Sequence, residues 1–145
     1  MSLPVKEIMM GDWVEYSPSG KCGQVFLIGQ GGVIGIKFPD GNVVYGNEST
    51  INSVQLSSSF LKQNGFEKYC DGSLTLEKLG KIGHRIETKK TNEGWDVKIY
   101  VDKCSDKGEA WVRDMLVFFH CIVTEVHILQ HLIRDAGLNE NLVIR

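Results

Sequence analysis

Apolar residues in the first 56 positions fall into five short runs, at residues 13–16, 23–28, 33–38, 43–45 and 51–56. Turn-forming residues separate these runs, and the apolar positions show no helical period. The segment Pro39–Asn42 has the residue types of a tight hairpin turn, because proline fixes φ while glycine and asparagine accept positive φ. Five strands with such short connections favour a small SH3-like five-stranded β-barrel, in which curling the sheet reduces its exposed edges.

An alternating pattern marks the middle of the remaining chain. One predicted strand carries Ile82, His84, Ile86 and Thr88 on one face, and the next, after a turn at residues 91–94, carries Trp95, Val97, Ile99 and Val101. This alternation predicts an antiparallel sheet with one wet face. Upstream, a serine cap and an Asn64-Gly65 stop predict a short helix from about Ser58 to Asn64, and Phe66–Cys70 predicts a further strand.

The C-terminal part combines an apolar run with a helical pattern. Leu116–Val123 is apolar almost throughout and predicts a central strand buried on both faces. From Thr124 the apolar spacing becomes helical and Gly137 supplies a stop, so we predict a helix over 124–136 with its apolar face on the second sheet. Leu142–Ile144 predicts a short terminal strand.

These elements define an α+β protein with two parts. An N-terminal SH3-like barrel at 1–56 is followed, at 57–145, by a small antiparallel sheet with one C-terminal helix, and we expect both to pack as one compact body. The 145 residues are 42% hydrophobic and 23% charged, which is typical of a globular protein. The longest apolar stretch, Met115–Val123, is about half of the ~20 residues that a membrane span requires. We therefore expect no membrane partner and a cytoplasmic location.

Charge argues against binding nucleic acid through phosphate neutralisation alone. The formal net charge is −2, whereas such proteins usually carry a strongly basic footprint. A local exception extends from Lys78 to Lys90. This segment contains one acid, Glu87, and five basic residues, namely Lys78, Lys81, Arg85, Lys89 and Lys90. Two interpretations remain open: a solvated strand edge protected by lysines, which we favour, or a binding surface for nucleic acid.

Chemically suggestive residues do not form a recognisable catalytic pattern. His127 and His131 are four positions apart on the predicted helix, a spacing that lets two imidazoles share a metal, but spacing indicates no third ligand. The acids around Lys103–Ser105 have no implied geometry for activating Cys104. The four cysteines are dispersed, so we expect reduced structural thiols, with Cys121 a small buried hydrophobe. We predict no catalytic residue, no metal and no cofactor.

Several aromatic residues lie in the predicted barrel. Small barrels often bind peptides or single-stranded nucleic acid through exposed aromatic side chains. Trp13 and Phe38 lie among core positions and favour a structural role. Tyr16 and Tyr45 lie beside turns and are candidates for an exposed binding face.

Three short motifs resemble a known family. They are the Gly-Asp-Trp-Val opening at residues 11–14, the Asn-Gly-Phe link at 64–66, and the Val-His-Ile-Leu-Gln helix at 126–130. In these motifs and their order the chain resembles a family of small uncharacterised proteins of Bacteroides-type bacteria and their phages and prophages. It departs from the family pattern at Ser57, where threonine is common, and at His131, where asparagine is usual. The resemblance implies an intracellular accessory role in a phage or mobile-element setting.

Our preferred hypothesis is a non-enzymatic interaction module that binds another protein. A nucleic-acid-binding accessory protein, using barrel aromatics with the Lys78–Lys90 strand, is the alternative, and an enzyme with a site near His127 is the third. The residues that these hypotheses would use for binding are Tyr16, Tyr45, Arg85, Lys89, Lys90, His127 and Gln130. An exposed sheet edge would also allow a symmetric homodimer.

Overall fold

A computed structural model describes residues 3–78, 84–104, 113–138 and 141–144 of the chain. It is an α+β structure whose described residues form two antiparallel five-stranded sheets and two α-helices. Contacts divide the chain into two units. Unit 1 comprises Met1–Gln55, Glu125–Gln130 and Leu142–Arg145, and unit 2 comprises Leu56–Thr124 and His131–Asn141.

The sheet of unit 1 follows the five predicted runs. Its strands are β1 (Trp13–Tyr16), β2 (Lys21–Ile28), β3 (Ile34–Lys37), β4 (Val43–Gly46) and β5 (Ile51–Ser53), in the order β4-β3-β2-β1-β5. β4 and β5 form its two edges, and the described strands do not close it into a barrel. The sequence was therefore right about the five strands, while closure of the sheet is not observed.

Strand β2 is long enough to serve two neighbours. Its first half, to Gln24, pairs with β1, and its second half pairs with β3. Gly23 allows β2 and β3 to approach closely, because a Cβ there would lie 2.6 Å from the Ile36 side chain and 2.8 Å from the Lys37 carbonyl oxygen. The buried residues of this unit form one core cluster, namely Leu3, Ile8, Val14, Val25, Ile34, Ile36, Phe38 and Ile51.

The sheet of unit 2 has a simple meander order. Its strands are β6 (Glu67–Lys68), β7 (Leu74–Lys78), β8 (His84–Lys90), β9 (Trp95–Cys104) and β10 (Arg113–Val123), in the order β10-β9-β8-β7-β6. The predicted alternation is confirmed in β8 and β9, where Ile86 lies opposite Ile99 and Thr88 opposite Val97, all buried. Residues 79, 81, 82 and 105–112, to which several predictions apply, lie outside the described residues.

The structure differs from prediction in the places of β8 and β10 within their sheet and in the absence of a strand at Leu142–Ile144. Among the described strands β10 is an edge strand that pairs only with β9, and Ile122 is 45% exposed, because the chain continues into a helix after β10. β8 is internal, paired with β7 and β9, so its lysines do not protect an edge. They occur at its end, where pairing with β7 stops after Thr88. Leu142–Ile144 is not a strand.

Both predicted helices are present. Helix α1 (Ser58–Gln63) is capped by the Ser57 hydroxyl, which accepts a hydrogen bond from the Phe60 N–H at 3.2 Å. Helix α2 (Val126–Asp135) buries Val126, Leu129 and Ile133 along one side, as the spacing predicted. No helix in the described ranges is long and apolar enough to cross a membrane.

Candidate functional site

Edge strand β4 presents apolar side chains to solvent on the outer face of its sheet. Alternation turns Val44 towards the core cluster and leaves Tyr45 63% exposed and Val43 43% exposed. Apolar side chains on an edge strand are a liability that soluble sheets usually avoid. A row of this kind is therefore a candidate contact surface.

Phe26 extends this apolar surface onto the neighbouring strands. The register between β2 and β3 shifts between Val25 and Leu27, so Phe26 lies at an irregularity that redirects its side chain. Its ring meets that of Tyr45 edge to face, with centroids 6.0 Å apart and an interplanar angle of 65°. Gly35 makes room for this pair, since a Cβ there would lie 2.8 Å from Cζ of Phe26.

The backbone of β4 is open along the same edge. At the hairpin end the Phe38 N–H donates to the Asn42 carbonyl at 2.9 Å, which makes these two residues a hydrogen-bonded pair. Because hydrogen-bonded pairs alternate along an antiparallel ladder, the N–H and C=O groups of Val43 and Tyr45 point away from β3. No described strand pairs with that side of β4. The edge therefore offers both backbone and side-chain contacts.

A cavity and a cation complete the surface. Phe26 lines a cavity of about 370 Å³ together with Trp13, Lys37 and Pro39. Lys37 is exposed and lies opposite Val43 in the β3–β4 register. We define the β4 surface as Phe26, Lys37, Val43 and Tyr45. It combines apolar contact area with one positive charge.

Tyr16, the second aromatic candidate, has a different environment. Its ring lies edge to face with that of Phe38, at a centroid distance of 6.4 Å, and packs against the core cluster. Trp13 and Phe38 are buried, as predicted for core residues. Tyr45 is thus the exposed member of the candidate pair, and Tyr16 is half-buried.

His127 and Gln130 both lie in the first part of α2. His127 is fully buried, and its Nδ1 lies 3.4 Å from Oε2 of Glu125. Gln130 accepts a hydrogen bond from the Trp13 N–H at 2.9 Å and donates one to the Gly11 carbonyl at 3.1 Å. A solute in bulk water does not reach His127 in this conformation, and the Gln130 amide is engaged by backbone.

The basic residues of β8 divide between the two faces of its sheet. Arg85 lies 3.4 Å from a Glu77 carboxylate oxygen and 6.0 Å from the centroid of the Tyr100 ring. Among the described side chains, the same wet face carries at paired positions four acids, Glu67, Glu77, Glu87 and Asp96, and three bases, Arg85, Lys89 and Lys98. Lys90 belongs to the opposite face, with its Nζ 5.2 Å from the centroid of the Trp95 ring. The described side chains of the wet face therefore carry no excess of positive charge.

Three cysteines are free thiols, and two of them have perturbed acidity. Burial raises the pKa of Cys22 and of Cys121, with smaller contributions from the carboxylates of Glu15 and Asp96 respectively. A raised pKa disfavours the reactive thiolate. Cys121 is partly exposed, since it lies on edge strand β10, and not the fully buried hydrophobe that we expected.

Comparison with known proteins adds no assignment to these observations. No known protein family, curated protein or solved structure matches the chain. Within the described residues, no group of three or more His, Cys, Asp or Glu side chains is placed to hold a metal ion. The candidate site is therefore judged from its own geometry.

Proposed function

We propose that this protein is a non-enzymatic interaction module whose unit 1 binds an extended segment of a partner protein along β4. The observation that carries the proposal is the β4 surface. There Val43 and Tyr45 expose their side chains, and their own backbone N–H and C=O groups point away from β3. An extended segment added to an edge strand gains main-chain hydrogen bonds, and its alternate side chains gain contacts.

The strand order supports an SH3-like character for unit 1. In SH3-like barrels the last strand returns to pair with the first, and the second strand is shared between two halves of the barrel. The order β4-β3-β2-β1-β5 and the shared pairing of β2 agree with this arrangement. Domains of this shape commonly act by binding peptides.

The chemistry of the surface suggests which segment would bind. Phe26, Val43 and Tyr45 favour apolar or aromatic side chains, and Lys37 favours an acidic residue at the position that faces it. The wet face of unit 2 carries no excess of positive charge among its described side chains and so gives no specific support to the nucleic-acid alternative, which stays a prediction. The motif resemblance supports an accessory role in phages or prophages as a separate proposal.

The first test selects a ligand and then locates it. A library of random peptides would be selected for binding to the full-length protein. A selected peptide would then be titrated into ¹⁵N-labelled protein. We expect amide shift changes centred on β4. Tyr45→Ala should weaken binding about tenfold or more, as for an aromatic hot spot, whereas Tyr69→Ala, an exposed tyrosine of unit 2, should not change it.

A backbone variant separates strand addition from simple apolar contact. Val43→Pro removes an N–H that points away from β3, so the sheet keeps its ladder while the edge loses a donor. We expect Val43→Pro to weaken the selected peptide much more than Val43→Ala does, with the thermal midpoint of each variant as the folding control. Failure to enrich any peptide, or equal effects of Tyr45→Ala and Tyr69→Ala, would contradict the proposal.

A further inference from the structure

Unit 2 contains a cavity that the proposed function does not use. It has a volume of about 510 Å³, within the size range of small-molecule sites. Lys62, Lys68 and Lys90 line it, and its described lining residues include no Asp or Glu. In a chain of net charge −2, three ammonium groups around one cavity form a local positive field.

The three lysines come from separate elements of the fold. Lys62 lies on α1, Lys68 ends β6, and Lys90 ends β8, so no single strand or helix pattern explains their convergence. All three are exposed. The Lys90 ammonium is 5.2 Å from the centroid of the Trp95 ring, which favours a position at the cavity by cation–π attraction.

The floor of the cavity is apolar and fixed by packing. Leu56, Leu74 and Trp95 line it and are each 5% exposed. The Trp95 indole N–H donates to the Leu56 carbonyl at 3.0 Å, which holds the ring against the start of the α1 segment. A ligand would therefore meet a preformed apolar wall on one side and lysine side chains around it.

Two acids, Glu67 and Asp71, are each next to a lining residue in the chain, but Glu67 alternates to the other face of β6 from Lys68, and Asp71 is held by hydrogen bonds within its own turn. Asp71 precedes Gly72, which lines the cavity, but its Oδ1 accepts hydrogen bonds from the Ser73 hydroxyl at 2.7 Å and from the Ser73 N–H at 3.0 Å. Ser58 adds an exposed hydroxyl donor to the lining. The polar part of the cavity thus consists mainly of cations and donors.

We propose that this cavity binds a small organic phosphate with two or more negative charges. Lysines bind phosphate as point charges, and several of them around one site favour a multiply charged group. The apolar floor would take the organic part of the ligand. The same lysines would also attract a free inorganic phosphate, so the test must separate the two sources.

Calorimetric titration of the full-length protein with three probes makes this separation. The probes are ADP, inorganic pyrophosphate and adenosine, each at about 50 and about 200 mM salt, a range over which screening changes strongly. We expect ADP to bind more tightly than pyrophosphate, adenosine not to bind measurably, and ADP affinity to fall with salt. Equal affinity for ADP and pyrophosphate would assign the site to free phosphate and would overturn the organic part of the proposal.

Lysine variants locate the binding. Lys62→Gln, Lys68→Gln and Lys90→Gln should each weaken ADP about five- to tenfold, as expected for loss of one charged contact. Lys98→Gln is the matched control, because Lys98 lies on the opposite face of the sheet in β9. No ADP binding at low salt, binding of adenosine as strong as that of ADP, or an equal loss in Lys98→Gln would overturn the proposal.

Discussion

Gln130 shows how a polar residue that looks available for binding is used by the fold. The two ends of its amide contact the backbone just before and at the start of β1, at the Gly11 carbonyl and the Trp13 N–H. Gly11 also accepts a hydrogen bond from Nε2 of Gln24, at 3.1 Å. The sequence places Gln130 on a helix, but hydrogen bonds between residues 117 and 119 positions apart leave no local sequence signal.

We expect Gln130→Leu to lower the free energy of unfolding by about 1–3 kcal/mol, because it leaves the Trp13 N–H without its acceptor. Gln130→Glu keeps the acceptor for Trp13 but turns a carboxylate oxygen to the Gly11 carbonyl oxygen, so it should also lower the stability. Urea unfolding followed by fluorescence measures both. Gln63→Leu, at an exposed position of α1, is the control and should change stability by less than about 0.5 kcal/mol. Similar losses in Gln63→Leu and Gln130→Leu would show that this interpretation is wrong.

The hairpin between β3 and β4 rests on an Asp-Gly pair. The Gly41 N–H donates to the Phe38 carbonyl at 2.9 Å, and Gly41 has φ +89°. The Asp40 carboxylate accepts from the Asn42 N–H at 2.9 Å. This is a type I turn followed by a left-handed glycine, as in common three-residue hairpin loops. It sets the register that brings Val43 and Tyr45 to the outer face.

The hairpin between β6 and β7 repeats this construction. The Tyr69 N–H donates to the Ser73 carbonyl at 2.9 Å, the Gly72 N–H donates to the Tyr69 carbonyl at 3.0 Å, and Gly72 has φ +85°. Hydrogen bonds from the hydroxyl and N–H of Ser73 hold the pKa of Asp71 below its ordinary value. Asp-Gly at residues 71–72 is the same turn signal as Asp-Gly at residues 40–41, although only the turn at 40–41 was among the predicted ones.

At the level of elements, Gly41→Ala tests the left-handed position directly. A Cβ on Gly41 would meet nothing within 4 Å, so the cost is conformational, about 1–2 kcal/mol. Gly41→Asn should cost less, because asparagine tolerates this region. Thermal unfolding measures the difference. Gly29→Ala is the control, since a Cβ there makes ordinary contacts of 3.7 Å or more and should leave stability nearly unchanged. Equal costs for alanine and asparagine at Gly41 would contradict the argument.

Alternation fixed the pairing of β8 and β9 because one face of each is buried, so a shift by one residue would expose every apolar side chain. The same reasoning does not locate a strand within its sheet. β10 has an apolar sequence yet lies at an edge, and β8 has a basic end yet lies inside. The sequence also does not show that the cavity lysines converge, since Lys68 and Lys90 come together through pairing between β6, β7 and β8, and Lys62 through the contact of α1 with β7.

At the scale of the whole molecule, unit 1 is discontinuous in sequence. A change in composition near residue 56 suggests a contiguous first part, whereas contacts add Glu125–Gln130 and Leu142–Arg145 to unit 1. Trp13 forms a hydrogen bond with each of these two segments. Its backbone N–H donates to the Gln130 side chain, and its indole N–H donates to the Leu142 carbonyl at 2.8 Å. Composition reflects only the residues of a local segment. It carries no information about contacts with segments that are distant in sequence.

A fragment of residues 1–56 should therefore be less stable than the same strands in the full chain. It loses both hydrogen-bond acceptors of Trp13 and the two later segments that contacts assign to unit 1. We expect a lower thermal midpoint and red-shifted emission of Trp13, the only tryptophan of the fragment. Addition of a peptide of residues 124–145 should partly restore both signals, and the same peptide with Gln130→Leu should restore less. A fragment whose midpoint equals that of unit 1 in the full chain would show that the five strands are sufficient alone.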